Sequence, residues 1–174
     1  DRLVVCAESD PVIGIVGPLS NTASWQSIPS LMQDGDWSDN PLPQGMNVDD
    51  MARIVARSSG QTYPRLGFLN GFCLLIKRAV IERLGLFDEQ TFGKGYGEEN
   101  DFCLRTTGAG FTLAVADDVY VFHAQSRSYS TERRRVLARA ADVALAQKHG
   151  QPPIDAGVHL CRFDRAIEGI RVHA

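Results

Sequence analysis

Apolar positions fall into short runs separated by polar stretches, and the spacing inside each run predicts its geometry. Residues 2–8 suit a short helix that stops before Asp10-Pro11, because a residue preceding proline is pushed out of helical geometry. Val12 to Val16 is a β-rich run closed by Gly17-Pro18 and predicts a buried strand. Residues 18–47 are rich in Ser, Asn, Asp, Pro and Gly, with Trp25 and Trp37 embedded in them. A structureless segment of that length inside a domain is usually a functional loop or disordered. Helical spacing returns from Val48 to Arg57 through Met51, Ile54 and Val55. Leu66 to Ile76 is the strongest strand region, broken at Gly71 by a bulge or a close backbone approach.

The second half of the pattern alternates helix and strand. Arg78 to Leu84 predicts a helix ended by Gly85, the preferred residue for a left-handed cap. Glu99 to Thr107 predicts another, ending near Gly108. Thr112 to Ala116 and Val119 to Phe122 read as two short strands joined at Asp117-Asp118. Thr131 to His149 is the longest predicted helix, with Leu137, Ala140, Ala141, Ala144 and Leu145 at i, i+3, i+4, i+7 and i+8, Ser130 as N-cap and Gly150 past the end. Beyond Pro152-Pro153 the signal is weak. The order predicts one mixed α/β domain with a long loop.

Composition narrows the classes without choosing among them. At 174 residues and 44% hydrophobic, the chain can bury a single core. A formal charge of −3 gives no electrostatic reason to expect nucleic acid or a membrane surface. No apolar run reaches the roughly 18–20 residues of a membrane span, and the first residues lack a secretory leader's basic start and apolar region. Cys6, Cys73, Cys103 and Cys161 lie far apart with no Cys-x-x-Cys pair, which reads as reduced thiols in a cytosolic or cytosol-facing protein. The chain opens without methionine inside an amphipathic pattern, so we expect a piece of something longer.

The chemistry concentrates at Gly95-Tyr96-Gly97-Glu98-Glu99-Asn100-Asp101. If Glu99 starts a helix, three acids surround its first turn. Capping and dipole compensation, worth roughly 0.3–1 kcal/mol each, is one reading. A general base carried into a cleft by a glycine-rich approach is the other. A calcium loop starting at Asp88 would put Gly93 and Glu99 in register, but Gln90 and the apolar Phe92 occupy ligand positions and exclude it. His123, after Val121-Phe122, reads either as a structural histidine or as a metal ligand.

These residues carry a family resemblance. Asn70-Gly71-Phe72-Cys73-Leu74-Leu75-Ile76-Lys77-Arg78, then Leu84 to Glu89, then Gly95 to Arg105, then Val121-Phe122-His123 resembles, in order and spacing, the acceptor-side half of family 2 glycosyltransferases of the GT-A fold. Gly14-Ile15-Val16-Gly17-Pro18-Leu19-Ser20-Asn21 is similar to the strand and loop that follow the Asp-x-Asp motif in bacterial members. The resemblance implies a truncated GT-A (nucleotide-diphospho-sugar transferase-like) α/β fold, a mixed sheet flanked by helices with the N-terminal nucleotide-binding half missing. Residues 1–150 would form the acceptor-binding and catalytic portion, and 151–174 an unassigned extension.

It further implies transfer of a sugar, with inversion, from a nucleotide-diphosphate-sugar donor to a hydroxyl of a carbohydrate or lipid-linked acceptor. Such a reaction needs a base at the acceptor hydroxyl and neutralisation of the departing diphosphate. The base position falls on Glu99, where relatives of the Glu-Asp type carry aspartate; Asp101 is the competing candidate. Glu98 would orient the acceptor or hold the loop, and Gly71 would permit close approach of the acceptor or of the catalytic loop. His123 matches a ligand for manganese or magnesium.

Other candidates keep two readings each. Trp25 and Trp37 suit stacking on a sugar ring or anchoring of the loop. Ser126 could reach the donor phosphates or make a turn. Arg127, with Arg133 to Arg135, suits a diphosphate, a lid closing over the donor, or a solvated helix face. The departure from the family pattern is the missing Asp-x-Asp clamp: Asp34-Gly35-Asp36 has the letters in the wrong place. A non-catalytic carbohydrate-binding or scaffolding module, its acids structural, is the alternative function. Homo-oligomerisation stays open.

Overall fold

A computed structural model describes residues 1–93, 95–124 and 131–174. In chain order the elements are α1 (Arg2–Glu8), β1 (Ile13–Leu19), β2 (Met32–Gln33), β3 (Asp36–Trp37), α2 (Val48–Ser58), β4 (Arg65–Leu66) and β5 (Leu75–Ile76). There follow α3 (Arg78–Leu84), α4 (Glu89–Phe92), α5 (Glu98–Gly108), β6 (Thr112–Tyr120), α6 (Thr131–His149), α7 (Gln151–Arg162) and α8 (Arg165–His173). The architecture is α/β: among the described residues four strands form a mixed sheet in the order β4-β6-β1-β5, flanked by helices. The central pair, β1 and β6, is parallel, and the short edge strands β4 and β5 are antiparallel to it.

Residues of β1 and β6 alternate between the two faces of the sheet as the pleat requires, except across the register slip between Ile13 and Ile15. On one face Ile15, Leu19, Leu113 and Val115 join the main core with Met51 and Val55 of α2, Phe102 of α5, Leu145 of α6, Cys161 of α7 and Ile167 and Ile170 of α8. On the other face Ile13, Val16, Ala114 and Ala116 meet Cys6 and Ala7 of α1 in a smaller cluster. All seven residues of β1 are buried, which suits a strand covered on both faces.

Helix ends follow their capping chemistry. Asn47 and Asp50 form a reciprocal capping box at the start of α2, and Gly85 closes α3 with φ +75°. The helices expected at 2–8, 48–57, 78–84, 99–107 and 131–149 are all present. Along α6 Ala141 and Leu145 are buried, Leu137 and Ala144 half-buried, and Ala140 exposed, so the buried stripe is narrower than its spacing suggested.

The strands depart from the sequence reading in three places. First, β1 runs on through Gly17-Pro18 to Leu19. The Pro18 carbonyl points away from β6 and accepts Gln26 Nε2 at 2.6 Å. Pairing with β5 stops at Val16, so the N–H that proline lacks has no strand to serve on that side. Second, residues 66–76 are not one strand: β4 and β5 lie on opposite edges of the sheet, and residues 67–74 cross between them. Phe68 packs on Gly157 of α7, and Asn70 N donates to Gln26 Oε1 at 2.7 Å.

Third, 112–120 is one strand with both aspartates inside it. Pairing to β1 slips there, from Pro18 opposite Ala116 to Leu19 opposite Tyr120. The buried Asp117 accepts the backbone N–H groups of Thr62 and Tyr63 at 3.3 and 3.2 Å, and Asp118 accepts Gln61 Nε2 at 3.3 Å. Where the sequence signal is weak, beyond Pro152-Pro153, α7 and α8 are well-formed helices that contribute Cys161, Ile167 and Ile170 to the main core. No helix among the described residues is long and apolar enough to cross a membrane. All four cysteines are free thiols; burial pushes Cys6 and Cys103 up to about 12 and Cys161 up to about 11.

Candidate functional site

The first turn of α5 is set by the three residues before it. Gly95, Tyr96 and Gly97 all take positive φ, at 82°, 71° and 91°. Gly97 is constrained twice over: a Cβ there would also lie 2.8 Å from Ala141 Cβ and 3.0 Å from the Phe92 ring. This tight entry delivers Glu98, Glu99 and Asp101 into the first turn, where the helix dipole favours carboxylates.

The three acids then part company. Glu98 and Glu99 line an open cleft of about 590 Å³ with Gly71, Phe87, Glu89, Phe92, Gly93 and Gly95. Glu98 Oε2 and Glu99 Oε2 are buried without a hydrogen-bond partner among the described residues. Burial pushes the Glu99 carboxyl above the usual range; backbone hydrogen bonding at Glu99 and Gly97 pulls the other way, and the Glu98 charge adds to the rise. Asp101 faces inward and is fully buried. It accepts Arg105 Nε at 2.8 Å, Lys148 Nζ at 2.7 Å and His149 Nε2 at 2.7 Å. Burial opposes its ionisation, but bonds from Lys148, His149 and Arg105 outweigh this and hold the carboxyl below the usual range.

Gly71 belongs to the crossing segment and sits against Glu99, where a Cβ would lie 3.3 Å from Glu99 Cβ. The next residue, Phe72, stacks on His123 with ring centroids 5.1 Å apart at 19°. One dipeptide therefore touches both the candidate base and the candidate ligand. His123 is tied on its other sides: its N–H donates to Asn21 Oδ1 at 2.8 Å and its carbonyl accepts Asn21 Nδ2 at 3.2 Å. The ring Nδ1–H donates to the Thr22 carbonyl at 2.8 Å, which puts a proton on Nδ1 and makes Nε2 the nitrogen that an ion would have to use. That is a metal-ligand orientation, but one imidazole is not a site. Among the described residues no three His, Cys, Asp or Glu side chains converge to hold an ion.

The remaining candidates fall elsewhere. Trp25 is not among the residues lining the cleft; it meets Trp37 edge-on at 5.1 Å, packs on the main core, and its carbonyl accepts Arg171 Nη2 at 2.7 Å. Ser126 and Arg127 lie outside the described residues. Arg133 and Arg135 are exposed at the start of α6. Three participants escaped the sequence reading. Gln26 ties β1 to the crossing segment, Asn21 carries His123, and Lys148-His149 meets Asp101. Only the last had a local signal, two basic residues in the final turn of a long helix.

With this geometry in view, similarity to known proteins is informative. The chain is 27% identical, over 165 residues, to N-acetylglucosaminyl-diphospho-decaprenol L-rhamnosyltransferase of Mycobacterium tuberculosis, in strain CDC 1551 / Oshkosh and equally in strain ATCC 25618 / H37Rv. The match covers 86% of this chain and 50% of each relative. The chain is a distant homologue of a glycosyltransferase. It spans about half the length of the curated relatives it matches. No protein-family model matches it, and no solved structure does.

Proposed function

We propose that this chain is the acceptor-side part of an inverting family 2 glycosyltransferase of the GT-A fold, with Glu99 as the base that takes the acceptor hydroxyl's proton. One observation carries the choice of residue. Glu99 lies in the cleft with a buried oxygen that no described group satisfies, and burial pushes its carboxyl above the usual range. A base is most effective when its pKa approaches the working pH and its lone pair is not already spent. Asp101 fails both conditions, since bonds from Arg105, Lys148 and His149 saturate it and hold its carboxyl below the usual range. Glu98, on the same cleft wall, is placed to orient the acceptor, and Gly71 keeps the approach to Glu99 open.

The relatives' name describes a rhamnosyl transfer onto a diphospho-decaprenol-linked sugar. By analogy the donor here is a nucleotide-diphosphate sugar and the acceptor a carbohydrate on a lipid carrier, handled at the cytosolic face of a membrane. Phe87 and Phe92 on the cleft wall offer apolar surface to a ring or a chain. Manganese or magnesium would neutralise the leaving diphosphate, and His123 Nε2 would supply one ligand. Among the described residues no three His, Cys, Asp or Glu side chains complete a site around it, so this chain alone should bind manganese weakly and transfer no sugar.

The decisive test is Glu99→Gln in the protein that carries this chain, assayed with nucleotide sugars and a lipid-linked acceptor. Transfer should fall by about 10²–10⁴, the usual worth of a positioned base, with donor binding retained. Transfer at the parental rate would overturn the assignment of Glu99 and favour the binding or scaffolding module.

A further inference from the structure

Asp101 is held far more strongly than the start of a helix requires. A first-turn carboxylate is already favoured by the dipole, yet this one is sealed from solvent and bonded by the cations Arg105 and Lys148 and by the His149 ring. Two of the donors, Lys148 and His149, come from the last turn of α6. Lys148 Nζ also donates to Asp88 Oδ2 at 2.7 Å, and Asp88 is the N-cap of α4, whose Glu89 and Phe92 line the cleft. Arg105 donates in addition to the carbonyls of Leu84 and Leu86 at 3.1 and 3.0 Å, fixing the segment that leads into Phe87, another cleft residue. One buried carboxylate thus gathers the three pieces of chain that make the cleft wall around Glu98 and Glu99.

We propose that Lys148 and His149 are positioning residues for Glu99: bonded to Asp101, they fix the first turn of α5 and hence the depth at which Glu99 sits in the cleft. This rests on reading Glu99 as the base. The geometry leaves little play, since Asp101 and Glu99 are two residues apart on one helical turn and point to opposite sides of it. A small rotation that lets Asp101 reach solvent would swing Glu99 away from Gly71. Misplacement of a reacting group by about 1 Å can cost on the order of 10²-fold in rate.

Glu98 on its own helix and Glu89 of α4 share the cleft with Glu99, while Arg105, Asp88, Lys148 and His149 surround Asp101 on the inner side of the same turn. Lys148→Met removes a cation from this set and one of the three bonds to Asp101. In the transfer assay kcat should fall roughly 10-fold with KM for donor and acceptor unchanged, and Lys148→Arg should restore it. A second readout needs no turnover. The Glu99 carboxyl ¹³C resonance of the chain itself, assigned by its loss in Glu99→Gln, should titrate at higher pH in Lys148→Met and return with Lys148→Arg. If Lys148→Met fails to fold, His149→Gln keeps Lys148 and is expected to move the Glu99 midpoint by loosening the same turn. An unmoved Glu99 midpoint in a folded variant overturns the coupling, as does a kcat loss that only tracks the unfolded fraction. Retained transfer by Glu99→Gln would overturn the base reading and leave the coupling to the resonance.

Discussion

The two sides of the first turn of α5 hold the same chemical group in opposite conditions. On the inner side Asp101 is fully buried, ionised and saturated by Arg105, Lys148 and His149. On the cleft side Glu98 and Glu99 each keep a buried oxygen that no described group satisfies. Composition assigns these acids one role, since all three favour a helix N-terminus. What separates them is the reach of α6, whose last turn arrives 47 residues after Asp101 and serves only one of them. Satisfied carboxylates stabilise a fold, and unsatisfied ones cost it something in exchange for reactivity.

The sharpest way to break this contrast is to neutralise the inner acid. Asp101→Asn should destabilise the chain by about 3 kcal/mol, the lower part of the range for a broken buried ion pair, because Lys148 and Arg105 keep some solvent contact. Urea unfolding followed by circular dichroism measures it. Glu99→Gln in the same assay should be neutral or slightly stabilising, since it replaces a desolvated charge with an amide. Equal losses from both substitutions would show that the two sides are not different.

Much of the helical framework was legible because its signals are local. The Asn47–Asp50 box, Gly85 and Gly150, and the spacing of Met51 and Val55 each act within one or two turns. Failures came where distant partners decide. Leu66 to Ile76 reads as a strand on apolarity, but Phe68 is drawn onto Gly157 and Asn70 onto Gln26, and the chain crosses the sheet instead of joining it. Asp117-Asp118 looks like a turn until backbone donors at Thr62 and Tyr63 are brought to it. Beyond Pro152-Pro153 the sequence signal is weak, although prolines in a first turn are compatible with α7. At the site, the acids and Gly71 were visible through motif resemblance. Their sorting into sealed and open sides depends on Lys148 and His149, which no local pattern ties to Asp101.

A smaller effect is expected at the contact between the crossing segment and the cleft. Gly71→Ala puts a methyl 3.3 Å from Glu99 Cβ, so one of them must give by a few tenths of an ångström. The fold should lose about 1 kcal/mol at most, because the site opens onto the cleft. Acceptor KM should rise while donor KM stays fixed, since the methyl crowds the Glu99 side of the cleft. A change in donor KM alone would place Gly71 with the donor and remove it from the acceptor's path.

The smallest effect is the most direct reading of the contrast, and it lies in the pH dependence of stability. Asp101 has a folded-state pKa below its unfolded value near 3.8, so its stabilisation is present above that value and is lost as pH falls through the folded pKa. Glu99 has the opposite sign. Its folded-state pKa lies above the unfolded value near 4.5, so between the two the folded chain binds more protons and stability declines as pH rises. Above the folded pKa the full cost of the buried charge is present; below 4.5 it is gone. Urea midpoints measured from pH 4.5 to 8 should therefore fall less steeply in Glu99→Gln than in the parent, while Asp101→Asn should flatten only the acid arm below about pH 4. If Glu99→Gln leaves the slope above pH 4.5 unchanged, Glu99 is as well solvated in the cleft as it is in the unfolded chain, and the two sides of the turn differ in geometry without differing in charge.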